Sequence, residues 1–177
     1  FYYYIKTIKF SMMKLIVSIV CICFSLLLNA QEKNNDNQVA LMYFTKGEFE
    51  KASLLYSQLY NQTHSQIHFE YLIQCYEKLN NLDKAQEITQ TQIKFQPKNF
   101  YYQVKLGGIL EQQKKISEAE NIYSKVVKKS SKNEQDCIDA GNAFLENKKI
   151  AYAETVFELG KNKFKENYTF QKKLSDI

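Results

Sequence analysis

A chain of 177 residues with a net charge of +5 is long enough for one domain or a short repeat array. Its 5 Gly and 1 Pro are too few turn formers for a β-sandwich or an α/β domain, whereas helices joined by short polar turns need few of either. Every basic residue is Lys, which argues against sites built on the bidentate recognition of phosphate or carboxylate that Arg provides.

The N-terminus reads as an address. Residues 1–11 lie upstream of a start at Met12 or Met13. Lys14 then supplies a small positive region, Leu15 to Leu28 form an unbroken apolar run, and Ala30 offers a small residue at a cut before Gln31. This order is that of a secretory signal peptide, and the run is shorter than the roughly 20 residues a membrane span needs. No retained span is therefore expected after cleavage. The large residues before Cys21 and Cys23 (Val20 and Ile22) do not suit a lipoprotein signal. The ending Leu-Leu-Leu-Asn-Ala-Gln resembles the export signals of Bacteroidetes-type bacteria, which implies an exported chain, periplasmic or associated with the outer membrane. Residues 1–30 also hold Lys6, Lys9 and Lys14 and no acid. Without them the chain is close to charge balance, and nucleic-acid binding loses its electrostatic support.

Residues 31–35 are a polar lead-in, and the first helix is expected near Asp36, a suitable N-cap. From there the chain repeats. Ala52, Ala85, Ala119 and Ala153 recur every 33 or 34 residues. Three positions before each stands Phe49, Leu82, Ile116 or Ile150, and four after it Tyr56, Thr89, Tyr123 or Phe157. Nine before it stands Tyr43, Tyr76, Leu110 or Phe144, and twelve before it Ala40, Ile73, Gly107 or Gly141. Pro97 closes the second unit. Each unit holds two apolar-periodic segments around a short polar turn such as Asn80-Asn81. One helix pair cannot bury its whole apolar surface, but a stack of pairs can. The units span about 33–65, 66–99, 100–133 and 134–166. Tyr168, Gln171 and Leu174 begin a fifth first helix over 167–177, read as truncated, and the chain as a fragment of a longer protein. Thr89 and Gln92 depart from the pattern, so the second helix of the second unit is expected to pack less tightly.

Chemistry-bearing residues are sparse. His64 and His68 are four apart, a spacing that suits a metal on a helix, but no third ligand accompanies them and they read as solvated turn histidines. Cys75 and Cys137 fall in first helices two stacking steps apart, too far for a disulfide, and are expected as free, buried thiols. Lys125, Lys128, Lys129 and Lys132, with Lys161, Lys163 and Lys165, end the second helices of units three and four. They read either as an anionic contact or as cations favoured at helix C-termini, and the latter is preferred. No phosphate loop, nucleophile elbow or carboxylate pair is visible. The chain is therefore read as no enzyme, with no cofactor, no metal site and no small-molecule substrate.

The pattern Leu106-Gly107-x2-Leu110 with Ala119-x3-Tyr123, and Ala140-Gly141-x2-Phe144 with Ala153-x3-Phe157, resembles the tetratricopeptide repeat (TPR). The resemblance covers about 36–165. It implies an all-α, right-handed α-solenoid of stacked helix–turn–helix repeats whose concave groove is lined by first helices. By position in the family, the groove residues are Leu41, Phe44 and Thr45, then Gln74, Glu77 and Lys78. The third unit adds Tyr101, Val104, Gly108, Glu111 and Gln112, and the fourth Ile138, Asn142, Leu145 and Glu146. The set lacks the basic clamp of members that hold a C-terminal carboxylate, so a peptide segment or partner helix is the expected ligand. The resemblance thus implies an exported, non-catalytic scaffold or adaptor for protein–protein interaction. The alternative is a sensor or docking region of a longer envelope signalling or outer-membrane-associated protein.

Overall fold

The computed structural model describes residues 36–165 and 168–177. The export pattern and the polar lead-in lie outside the described residues. Among those described, the chain is all helix and turn. The helices are α1 (36–45), α2 (Phe49–Thr63), α3 (Gln66–Lys78), α4 (Leu82–Phe95), α5 (Phe100–Gln112), α6 (Ile116–Ser130), α7 (Glu134–Glu146), α8 (Ile150–Lys163) and α9 (Thr169–Ser175). Asp36 is already helical. Two compact units result, the first reaching Cys75 and the second running Tyr76–Ile177, with the division inside α3.

Every helix pair is closed by the same turn. Gly47, Asn80, Lys114 and Lys148 have positive φ of 78°, 53°, 66° and 58°. The amide that follows each one donates to a carbonyl five residues back. Glu48 donates to Tyr43 at 2.9 Å, Asn81 to Tyr76 at 2.8 Å, Lys115 to Leu110 at 2.9 Å and Lys149 to Phe144 at 2.8 Å. Each positive-φ residue itself donates three residues back, completing a Schellman motif that satisfies the last carbonyls of the first helix. Gly47 takes the left-handed conformation freely, and Asn80 is tolerated there. Lys114 and Lys148 pay for a Cβ in it. The next helix then starts at once. Between repeats the chain is looser, and an asparagine caps the following helix. Asn99 Oδ1 accepts from Tyr101 N at 3.0 Å, and Asn133 Oδ1 accepts from Asp136 N at 2.8 Å.

In the first unit the aligned Ala40, Ala52 and Tyr56 are buried with Leu59, Phe69, Leu72 and Ile73. In the second unit α5 pairs with α6 and α7 with α8. Helices α5 and α7 also pack side by side, so first helices form one layer and second helices the other, with α9 continuing the stack against α8. Its core joins Val104, Leu110, Ala119, Tyr123, Val126, Ala140, Phe144, Ala153, Val156, Phe157 and Phe170.

The small residues of this core are there for the rings. A Cβ on Gly107 would meet Tyr123 Cε1 at 2.2 Å, one on Gly141 would meet Phe157 Cε1 at 2.2 Å, and one on Gly160 would meet Phe170 Cε1 at 2.4 Å. Each ring therefore rests on the bare backbone of a neighbouring helix. Gly108, one position after Gly107, has nothing within 4 Å of where its Cβ would stand.

Some expectations need correction. Thr89 and Gln92, polar residues at packing positions, are fully buried. Thr89 Oγ1 donates to the Ala85 carbonyl at 2.7 Å, so its polarity is satisfied inside its own helix. Ile116 and Ile150 open their helices half-exposed rather than in the core. In α9 the buried anchor is Phe170, while Tyr168 is 78% exposed and Leu174 packs only at the margin.

Two stability outcomes follow. Gly107→Ala and Gly141→Ala should each destabilise by about 1–3 kcal/mol, because a ring must leave its seat. Lys148→Gly should stabilise by about 1 kcal/mol by releasing the left-handed strain. Urea-unfolding midpoints at unchanged m measure both.

Candidate protein-binding surface

In the first unit Leu41, midway along α1, is 42% exposed, and Thr45 and Gln74 are exposed. Phe44 is differently employed. Its ring makes edge contacts with Phe49 at 5.5 Å, Tyr71 at 5.1 Å and Tyr56 at 6.4 Å, and Tyr56 stacks on Tyr71 at 4.8 Å. Phe44 thus fastens α1 to α2 and α3, with only part of its surface left for a ligand. Beside it, His68 is half-buried rather than solvated. Its Nε2 lies 2.7 Å from Asn37 Oδ1, its Nδ1 lies 2.7 Å from Thr63 Oγ1, and its ring tilts against Tyr56. Both ring nitrogens are engaged, a sound structural reason for this histidine. Among the described residues no group of three or more His, Cys, Asp or Glu side chains could hold a metal ion.

In the second unit the candidates fall into three groups. Val104 is 0% exposed and belongs to the core, so it leaves the set. Val104 packs in the core cluster that α5 shares with α7. Tyr101, Ile138 and Leu145 are half-buried against the same core and show only an edge.

The polar candidates are largely tied to each other. Glu77 accepts from Lys105 Nζ at 3.0 Å and from Gln112 Nε2 at 3.0 Å. Glu111 pairs with Lys149. Asn142 Oδ1 accepts from Lys173 Nζ at 2.8 Å. These bonds run sideways, joining one first helix to the next or to the following turn. Lys105, Lys149 and Lys173 were not singled out from the sequence. A signal existed, because several lateral bonds link residues one repeat apart plus or minus about one turn (112 to 77, 149 to 111, 173 to 142).

Lys78 and Gly108 remain open on this face, with Gly108 showing bare helix backbone. Behind them the interior is strongly apolar. Burial, and then the nearby Glu111 carboxylate, pushes the Tyr123 hydroxyl well above its ordinary pKa. Tyr123 also packs against Phe144 at 5.8 Å and Tyr152 at 4.8 Å.

Cys75 and Cys137, the two cysteines among the described residues, are free and fully buried. Burial raises the Cys75 thiol to about 11. It also raises Cys137, though Lys163 works against the shift, and Cys137 Sγ donates to the Ser130 carbonyl at 3.2 Å.

No protein-family model and no curated protein matches the chain. Solved structures of MamA are similar in shape. "MamA 41-end from Desulfovibrio magneticus RS-1" aligns at 12% identity and TM-score 0.47, covering 80% of this chain and 81% of that one. "MamA MSR-1 C2" aligns at 17% identity and TM-score 0.42, covering 81% and 83%. A "MamA RS-1 ArsTM double mutant" aligns at 12% identity and TM-score 0.48, covering 80% of each chain. Among the described residues no helix is long and apolar enough to cross a membrane.

The thiols give the test of this interior. At pH 8 native protein should react with a thiol reagent roughly a hundredfold more slowly than urea-unfolded protein, since access needs local opening. The raised Cys75 pKa means the fold favours the neutral thiol. Its contribution to stability is present below pH 9 and is lost as the pH rises from about 9 to about 11. A pH series of unfolding midpoints reads that loss, and Cys75→Ala removes it.

Proposed function

We propose that the chain is an exported, non-catalytic scaffold that binds a peptide segment or partner helix on its first-helix layer. The observation that carries this reading is Gly108. A glycine inside a helix costs about 1 kcal/mol relative to alanine. Gly107 recovers that cost through the Tyr123 ring, whereas Gly108 has open space where a side chain would stand. Bare helix backbone between half-buried Tyr101 and exposed Gln112 lets another chain approach closely. Around this strip, lateral bonds from Glu77, Lys105 and Gln112 hold neighbouring first helices in register, so the surface is formed before a ligand arrives. Export rests on the order of Lys14, the Leu15–Leu28 run and Ala30. The same surface would serve a docking region of a longer envelope protein.

Photoreactive phenylalanine placed at Gly108 or Gln112 should give discrete crosslinked products in cells. The same group at exposed Ser124 on α6 should give none. Gly108→Ala should keep or raise the melting temperature while weakening partner capture. Equal crosslinking from both faces, or full capture by Gly108→Ala, would remove the first-helix layer as the binding surface.

A further inference from the structure

The C-terminal ends of α6 and α8 meet at one edge of the second unit, since Lys163 Nζ donates to the Ser131 carbonyl and Cys137, beside Ser130, feels the Lys163 charge. Lys125, Lys128, Lys129 and Lys132 from the α6 side and Lys161, Lys163 and Lys165 from the α8 side gather here. The partial negative charge of a helix C-terminus accounts for lysines in a last turn. It does not account for Lys132 and Lys165, which stand beyond the helix ends. Nor does ion pairing use the set. Among the described residues only Lys161 is in a salt bridge, with Glu158 at 3.1 Å, while Lys125, Lys128, Lys129, Lys132 and Lys165 are exposed and in none. The acids nearest in sequence are Glu134 and Asp136 in the first turn of α7 and Glu158 and Glu166 around the α8 lysines, and the seven lysines outnumber these four.

The opposite ends of the same helices carry mixed charge, with Glu118, Glu120 and Glu154 beside Lys114, Lys115, Lys148 and Lys149. An excess of lysine over nearby acid is therefore a feature of the edge where α6 and α8 end. We infer that this lysine edge docks the second unit, helix C-termini first, onto a membrane surface rich in anionic phosphate headgroups. A charge excess concentrated at one edge gives such docking an orientation, because that edge is drawn to the surface more strongly than the charge-balanced opposite ends. The chemistry of the edge suits lipid better than nucleic acid. It holds compact ammonium charges and no guanidinium fork for base or phosphate reading. It is flanked by Tyr168, 78% exposed, and by Phe164 under the Lys163 ammonium at 5.6 Å, so amphipathic rings accompany lysine stems. This face is separate from the first-helix layer, so a partner and a membrane could be held together.

The test uses the full chain and vesicle co-flotation. The apolar run at Leu15–Leu28 and the nearby Lys6, Lys9 and Lys14 are common to wild type and every variant, so the readout is the change, between proteins, in the ratio of binding to vesicles with a third phosphatidylglycerol over vesicles of phosphatidylcholine alone. The wild-type ratio should be about tenfold or more at low salt and should fall toward one as salt shortens the Debye length. K128Q/K129Q/K132Q/K165Q should abolish the preference. K84Q/K114Q/K115Q/K148Q, with the same change in charge elsewhere, should keep it. Melting curves of both variants exclude unfolding. Inorganic phosphate at matched ionic strength should not compete, and if it does the edge is a free-phosphate site. A wild-type ratio of one, equal loss in both variants, or tighter binding to duplex DNA than to the vesicles would each overturn the proposal.

Discussion

The structure depends on aromatic rings seated on bare backbone. Tyr123 over Gly107 and Phe157 over Gly141 lock the two helices of a pair, and Phe170 over Gly160 carries the same contact from one pair to the next helix. A buried ring removes about 150–250 Å² from water, roughly 4–6 kcal/mol at 25 cal/mol per Å². That gain is available only if the facing residue has no side chain or a very small one. The repeat is the spacing at which a ring and a gap recur in register. The first unit achieves a similar end with Ala52 and an aromatic cluster of Phe44, Phe49, Tyr56 and Tyr71.

A rigid seat alone would not set the angle at which the second helix leaves the first. The Schellman turns do that. Because a left-handed residue ends every first helix, the chain reverses within a few residues and the aligned alanine returns to the interior. Lys114 and Lys148 show that this conformation is required by packing and not merely permitted by composition. A lysine there carries strain that a glycine would not. The core offsets that strain, and the turn positions its neighbours. Lys149, one residue past the strained Lys148, reaches Glu111 of the preceding pair.

Much of this was legible in the sequence, and the parts that were not have identifiable causes. The alanine register predicted burial correctly at Ala52, Ala85, Ala119 and Ala153, because a small residue tolerated at a helix crossing leaves a strict period. Ile116 and Ile150 recur in the same register but sit at helix entrances where about half of each stays in water. Periodicity records position, not depth. Val104 was placed in the groove by its position in the repeat family, and it is buried in the core that α5 shares with α7. How deep a position lies depends on the neighbouring repeat, which no single-helix pattern contains. The lateral ties of Glu77, Glu111 and Asn142 were missed since a one-helix view cannot show bonds between repeats.

The surfaces left free are therefore best defined by subtraction. On the first-helix layer, aliphatic candidates are partly spent on the core and acidic ones on lateral bonds, leaving Lys78 and Gly108 open. On the second-helix layer, nothing comparable ties down the lysines that gather at one edge. The first face offers shape and backbone with its charges mutually compensated, which favours a shape-complementary chain over a highly charged one. The second offers charge with little shape, which suits a diffuse anionic surface. Each follows from the repeat. A first helix touches first helices on either side and spends its polar groups on them, while the ends of second helices point outward and keep theirs.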